Sequence, residues 1–85
     1  MPMIARVYVG LKPGVLDPQG RTIASSLNDL GFKEVQDATQ GKVIELKLAD
    51  GERDVVEARV KEMCERLLAN TVIESYRIEL DETDA

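Results

Sequence analysis

Residues 12–20, KPGVLDPQG, end a strand, turn the chain and begin a helix. Pro13 fixes its own φ and biases the residue before it towards extended backbone, while Gly14 can adopt conformations closed to residues with a Cβ. Asp17 followed by Pro18 is typical of an N-cap and a first helical residue, because the carboxylate accepts free backbone N–H groups and proline has none to leave unpaired. The segment therefore predicts a strand before the turn and a helix after it.

Gly20 falls in the first turn of that helix, where glycine costs about 1 kcal/mol relative to alanine. A glycine retained at such a cost indicates that other atoms pack closely against the helix backbone. We expect those atoms to belong to another protein chain. On this interpretation, Gly20→Val damages partner binding more than folding.

Hydrophobic periodicity predicts the remaining elements. Alternation from Met3 to Lys12 indicates a strand, and apolar residues at helical spacing with glycine at position 31 indicate a helix over residues 18–30. A second helix is predicted to open at residues 50–52, and alternation returns over residues 72–80 as a strand. The apolar stripe of the second helix comprises Val56, Val60, Met63, Cys64, Leu67 and Leu68.

The segment from Phe32 to Leu48 reads as extended, with Gln40-Gly41 interrupting it. One long bent strand gives the order βαβαβ, whereas a hairpin gives βαββαβ, and clean alternation over residues 42–48 slightly favours the bent strand. Either order predicts an α+β fold of two layers, an antiparallel sheet with both helices on one face, related to ferredoxin-like folds. The uncovered sheet face and the free edges then predict self-association to a dimer or tetramer.

Composition narrows the classes of function. The 85 residues form a single domain over residues 1–85, with residues 81–85 expected to be a frayed tail. A net charge of −5 opposes binding to nucleic acid or anionic membranes. The chain has no apolar run of 18 residues and no secretion-signal pattern at its start, so the mature chain is expected to begin here and to be cytoplasmic.

Residue types that support independent catalysis are scarce. One cysteine and no histidine exclude a zinc cluster, a Cys/His nucleophile pair and a Ser/His/Asp triad. Asp17 and Gln19 at a helix N-terminus can attract an anion, but a capping carboxylate uses the same donors. Gly41-Lys42 reads as a turn beside a surface lysine, and Cys64 as a small core residue. We therefore predict no catalytic, cofactor-binding or metal-binding residue.

Four motifs in order resemble one known family. They are GVLDPQG at 14–20, LGF at 30–32, GK at 41–42 and CERLLANTVIESY at 64–76. Together they resemble the PurS family, the small subunits of bacterial and archaeal phosphoribosylformylglycinamidine synthase, over nearly the whole chain. Thr71 stands where that family frequently has proline.

The resemblance implies a PurS-like domain that bridges a glutaminase subunit and a large ATP-dependent synthetase subunit for ammonia transfer in de novo purine biosynthesis. It also implies that ATP and Mg²⁺ are used by the synthetase partner and that no cofactor is bound by this subunit. Surfaces that contact the partners are expected at Lys12, Gly14, Asp17, Gln19, Gly20, Gly41 and Lys42. The alternative function is a ferredoxin-like regulatory domain that senses a small molecule at the turn after the first strand. A free-standing enzyme is the weakest reading.

Overall fold

One antiparallel sheet of three strands, with β1 in the middle, organises the chain. The structure is a computed structural model that describes residues 2–82. Its elements are β1 (Met3–Leu11), α1 (Pro18–Asp29), β2 (Lys42–Leu48), α2 (Arg53–Met63) and β3 (Glu74–Glu82). The predicted α+β class is confirmed, and the order is βαβαβ. No helix within residues 2–82 is long and apolar enough to cross a bilayer.

The core lies between β1, β3 and α2. Because side chains of a strand alternate between faces, every second residue of β1 from Met3 to Val9 is buried, with exposures of 0–3%. Residues from α2 meet them at helical spacing, and Leu80 closes the cluster from β3. The buried cluster comprises Met3, Ala5, Val7, Val9, Val56, Val60, Cys64, Ala69 and Leu80.

A single π-helical turn, Cys64–Leu68, extends α2. The N–H of Ala69 donates to the carbonyl of Cys64 at 3.1 Å, one residue farther along the chain than in an α-helix. The extra residue shifts the helical phase, so Leu68 packs against the core while Leu67 is 83% exposed. The prediction that Leu67 belongs to the buried stripe is therefore wrong.

The last strand runs farther than the sequence pattern indicates. β3 extends to Glu82, which lies opposite Met3 in the register, and Asp81 pairs with Arg6. Asp81 and Glu82 are thus strand residues, and their assignment to a frayed tail is wrong. The rest of that predicted tail, residues 83–85, lies outside the described residues.

α1 ends in a complete Schellman motif. Gly31, with φ of 104°, donates its N–H to the carbonyl of Asn28 at 3.1 Å, and Phe32 donates to the carbonyl of Leu27 at 2.9 Å. Glycine favours this positive φ because it has no Cβ. The predicted C-cap glycine is confirmed, and the chain reverses direction at this point.

The segment after the reversal is irregular rather than extended in a sheet. Residues 32–41 form turns and coil, and β2 begins only at Lys42. Several of their backbone groups bind side chains instead of a strand: the Asn28 side-chain amide donates to the carbonyl of Val35 at 2.9 Å, and the N–H of Gln40 donates to Asp17 at 2.8 Å. The prediction of a strand through residues 32–41 is wrong because these hydrogen bonds replace pairing with a strand. We call this segment the return loop.

α1 packs against the return loop rather than against the sheet, and most of the helix stays exposed. The helix buries Gly20 and Ala24, and among the described residues α1 supplies none of the core cluster. A Cβ built on Gly20 would lie 2.3 Å from the carbonyl oxygen of Ala38. The atoms that require glycine there therefore belong to the same chain, and the expectation that they come from another chain is wrong.

The shape of the molecule reflects this position of α1. The principal extents are 48 × 30 × 14 Å, and the radius of gyration is 16.5 Å. A compact chain of this length is expected to have a radius of gyration of about 12 Å. The chain is therefore thin and elongated, with α2 as the helix that covers the core.

The outer face of the sheet carries paired charges across all three strands. Arg6 on the central strand lies 3.3 Å from Glu45 of β2 and also pairs with Asp81 of β3. The Tyr8 hydroxyl donates to Glu79 at 2.9 Å. Each exposed pair contributes little to stability, but together they leave opposite charges matched on this face.

Substitution of Gly20 tests whether the glycine serves the fold. We expect Gly20→Ala to lower the free energy of unfolding by about 2–3 kcal/mol, because the new methyl group must displace the Ala38 carbonyl. Gly10→Ala is the matched control, since within the described residues a Cβ there meets nothing within 4 Å. Urea denaturation measures both, and equal stability of the two variants would contradict the packing explanation.

Candidate functional site

The seven predicted interface residues come together at one end of the sheet. β1 ends there, α1 begins there, and Lys42 of β2 pairs with Val9, which brings Gly41-Lys42 beside the end of β1. We call this region the junction. Its residues from the sequence prediction are Lys12, Gly14, Asp17, Gln19, Gly20, Gly41 and Lys42.

Asp17 holds the junction together through backbone donors from two parts of the chain. One carboxylate oxygen accepts the N–H of Gly20 at 2.9 Å, which caps α1, and the other accepts the N–H of Gln40 at 2.8 Å. Hydrogen bonds from Gln40 and Gly20 hold the pKa of Asp17 below its ordinary value. The cap was predicted from the sequence, whereas no local pattern indicated the bond to Gln40.

Gly41 is required by a close approach of two backbones. A Cβ at this position would lie 2.6 Å from the carbonyl oxygen of Val9. Its neighbour Lys42 is exposed, as predicted. The reason for glycine at position 41 is therefore steric contact with β1, rather than the turn conformation expected from the sequence.

Gly14 does need an unusual backbone conformation, with φ of 88°. The Val15 N–H donates to the carbonyl of Lys12 at 3.1 Å and closes the turn, while the Lys12 N–H donates to Ile73 at 2.8 Å. The turn after β1 is thus tied to the segment before β3. The predicted role of Gly14 in ending the strand is confirmed.

Two neighbouring clefts open at the junction. One, of about 430 Å³, lies between the turn after β1 and the return loop, and is lined by Lys12, Gly14, Asp17 and Gly41 among others. The second, of about 500 Å³, is lined by Gln19, Gly41 and Lys42 together with Glu74. Gly20 is buried beneath Ala38 instead of facing either cleft.

The charges of these clefts are mixed. Lys12 and Arg21 in the first are opposed by Asp17 and Asp37, and Lys42 in the second is opposed by Glu74. Asp17 takes the N–H groups at the start of α1 and repels a second anion. The start of α1 therefore offers a phosphate a weaker site than an uncapped helix would, whereas surfaces of mixed charge suit contact with another protein.

The remaining chemistry-bearing groups lie elsewhere. Cys64 is buried in the core, and burial raises the pKa of its thiol. Among residues 2–82, no three His, Cys, Asp or Glu residues are grouped so that they can hold a metal ion. Cys64 is thus a core residue, as predicted.

Loss of the Asp17 carboxylate should destabilise both the start of α1 and the return loop. We expect Asp17→Ala to lower the melting temperature by about 4–8 °C, the shift typical of one lost helix cap in a domain of this size, with Asp37→Ala as the control. Asp37 is an exposed carboxylate that accepts the N–H of the adjacent Ala38. Differential scanning calorimetry at neutral pH distinguishes the two variants.

The difference in stability between the wild type and Asp17→Ala should depend on pH. Because the pKa of Asp17 is lower in the folded chain, its contribution is fully present above the unfolded value of about 3.9 and is lost as pH falls through the folded value. The wild type and Asp17→Ala should therefore converge in stability in acid. A gap that stays constant down to the folded pKa and below contradicts a role for the ionised carboxylate.

Comparison with known proteins gives one consistent family. Residues 4–82 match the family described as PurS, phosphoribosylformylglycinamidine (FGAM) synthase. The chain is 51% identical over 80 residues to the phosphoribosylformylglycinamidine synthase subunit PurS of Bacillus subtilis, covering 94% of each chain.

Solved structures agree in fold over nearly the full length. Methanocaldococcus jannaschii PurS, a subunit of formylglycinamide ribonucleotide amidotransferase in the purine biosynthetic pathway, superposes with a TM-score of 0.88 at 40% identity, covering 96% of this chain and 99% of that one. A chain in the structure of PurLQS from Thermotoga maritima gives a TM-score of 0.84 at 30% identity, covering 95% and 100%. The chain therefore belongs to the PurS family, the PurS subunits of phosphoribosylformylglycinamidine synthase in purine biosynthesis.

Proposed function

We propose that this chain is the non-catalytic small subunit of a phosphoribosylformylglycinamidine synthase complex, bridging the glutaminase subunit and the large ATP-dependent synthetase subunit. The observation that carries the proposal is the match to PurS over residues 4–82, together with the similarity to a chain of PurLQS. This match favours the function of a synthase subunit over the alternative function of a regulatory domain that senses a small molecule.

The chemistry of ammonia gives a physical reason for such a bridge. Ammonia released into bulk water is protonated or diffuses away, so the two active sites must be held in register while it passes between them. An elongated chain with separate surfaces is suited to holding two larger proteins at a fixed distance. The mixed-charge junction provides one such surface, at one end of the sheet.

We further propose that ATP and Mg²⁺ bind to the synthetase subunit and that this chain binds no cofactor. Asp17 at the start of α1 disfavours a nucleotide phosphate at the junction, the one place where the sequence suggested an anion. We also propose a cytoplasmic location, which is supported by the purine biosynthetic pathway of the family and by the single cysteine, which cannot form a disulfide within the chain.

Self-association to a dimer or tetramer is part of the same proposal. The chain exposes 6326 Å² of surface, whereas folded monomers of this mass expose about 5,000 Å². The excess of about 1,300 Å² is larger than the roughly 800 Å² that each partner of a stable complex typically buries. Large apolar residues contribute to it, including Leu16, Ile23, Leu30, Phe32 and Val43.

Reconstitution from purified subunits tests the bridging role. With glutamine as nitrogen source, we expect turnover by the two larger subunits to require this chain, because transfer depends on docking of the glutaminase. With ammonia at high concentration, the synthetase subunit should work without it. Equal glutamine-dependent turnover with and without this chain would show that the bridging role is wrong.

A pair of lysine variants tests the junction within the same assay. Lys42→Glu reverses a charge at the junction, and Lys47→Glu reverses an exposed charge of the same strand near its other end. We expect Lys42→Glu to raise the concentration needed for half-maximal glutamine-dependent turnover by about tenfold, which corresponds to 1.4 kcal/mol. Equal effects of the two variants would exclude a specific contact at the junction.

Light scattering tests self-association without the other subunits. At micromolar concentration we expect a mass of at least twice the 9.4 kDa of one chain, because of the unburied apolar surface. The mass should fall towards that of one chain on dilution into the nanomolar range. A mass of one chain at all concentrations contradicts this part of the proposal.

A further inference from the structure

The π-helical turn leaves an apolar groove on the outer side of α2. In a regular α-helix, Leu67 would follow Val60 and Cys64 onto the core face. The extra residue of the turn brings Leu68 there instead and leaves Leu67 83% exposed, beside a groove of about 270 Å³. We call it the α2 groove, and it is lined by Arg59, Glu62, Met63, Arg66 and Leu67.

The backbone that presents Leu67 is held in place on both sides. The N–H of Ala69 donates to the carbonyl of Cys64 at 3.1 Å and closes the π-helical turn. The hydroxyl of Tyr76, on β3, donates to the carboxylate of Glu65 at 2.6 Å and ties the same turn to the sheet. A side chain on a fixed backbone loses little freedom when it binds a partner, so the exposed leucine is preorganised for contact.

Apolar residues continue from the groove along α2. Val55, Arg59, Met63 and Leu67 are spaced four residues apart and follow one ridge of the helix. Val55 is 56% exposed, and Met63 is half-buried between it and Leu67. Single exposed apolar residues are ordinary, whereas a series along one face marks a surface for contact, and methionine adapts its shape to what it meets.

The groove carries positive charge on an acidic chain. The net charge of the chain is −5, whereas two arginines and one glutamate line the groove. Arg66 pairs with Glu62 at 3.2 Å, while Arg59 makes no ion pair with any residue from 2 to 82. An unpaired guanidinium beside apolar walls is complementary to a carboxylate that stands next to an apolar side chain.

We propose that the α2 groove binds a segment of one larger subunit, the one that does not dock at the junction, through an apolar side chain flanked by a carboxylate. The apolar side chain lies between Met63 and Leu67, and the carboxylate pairs with Arg59. The contact rests on the bridging function proposed above and supplies its second surface. Among the described residues, none lines both the α2 groove and a cleft of the junction.

Two substitutions of Leu67 test the apolar part of the contact. Surface plasmon resonance measures binding of the full chain to each purified larger subunit, immobilised separately. Leu67→Asp places a negative charge where the partner's carboxylate is expected, so we expect the Kd for one subunit to rise by about tenfold. Leu67→Met keeps an apolar side chain and should leave this Kd unchanged. Circular dichroism checks that both variants fold, which is expected because Leu67 is exposed.

A matched pair of charge reversals tests the polar part. Arg59→Glu should raise the Kd for the same subunit by about tenfold, and the wild-type affinity should fall as salt is added. Lys61→Glu makes the same reversal at an exposed residue of α2 that does not line the groove. Its Kd should remain that of the wild type, because residues two apart do not share a helix face.

The two surfaces should be separable by subunit. Lys42→Glu, at the junction, is expected to weaken binding of one larger subunit, and Leu67→Asp binding of the other. If both variants weaken binding of the same subunit alone, the assignment of the α2 groove to a second partner is wrong.

Photochemical crosslinking identifies the segment in the groove. With Leu67 replaced by the photoreactive p-benzoylphenylalanine, irradiation of the reconstituted complex should label a segment that contains Asp or Glu beside apolar residues. The same replacement of Lys61 is the control and should not label that segment. A labelled segment without Asp or Glu overturns the proposed chemistry.

The outcomes separate this contact from the bridging function. Wild-type binding that Leu67→Asp leaves unchanged, or equal effects of Arg59→Glu and Lys61→Glu, overturns the groove contact alone. If Leu67→Asp lowers the mass of the self-associated chain in light scattering, the groove binds a second copy and the proposal is wrong. If the wild type binds neither larger subunit, the bridging function fails and the groove contact fails with it.

Discussion

The Asp17 carboxylate is the constraint on which the arrangement of this chain depends. Its two oxygens accept backbone N–H groups from Gly20, in the first turn of α1, and from Gln40, near the end of the return loop. One anion thus fixes both the start of a helix and the approach to the next strand. Because α1 is held to the return loop at this point, the helix is not free to lie on the sheet.

Local chemistry made the start and end of α1 predictable. Asp17-Pro18 and Gly31 act on backbone groups within one helical turn, so a short stretch of sequence contains everything that their roles require. The alternation in β1 was equally informative, because one face of this central strand is buried from Met3 to Val9. The ends of α1 and the extent of β1 could therefore be predicted without knowing which distant residues they contact.

Features set by contacts across the chain were not predictable in this way. The contact of Gly20 with Ala38 joins two segments whose proximity no periodicity reports. The π-helical turn that moves Leu67 outward has no distinct signal in composition, and the pairing of Asp81 with Arg6 depends on the register of β3. For the candidate site, the motifs named residues that the fold brings together at the junction, but which of them face its clefts and which lie beneath them depended on the fold.

The paired charges of the outer sheet face affect how readily one copy of the chain stacks on another. An uncovered sheet face is a liability, because a large exposed patch allows copies of the chain to stack on one another. Arg6 already has carboxylates on both sides, and Tyr8 is already engaged by Glu79, so this face gains little by pressing against a copy of itself. Unspecific stacking of one outer face on another is therefore disfavoured by charges that the chain already matches within itself.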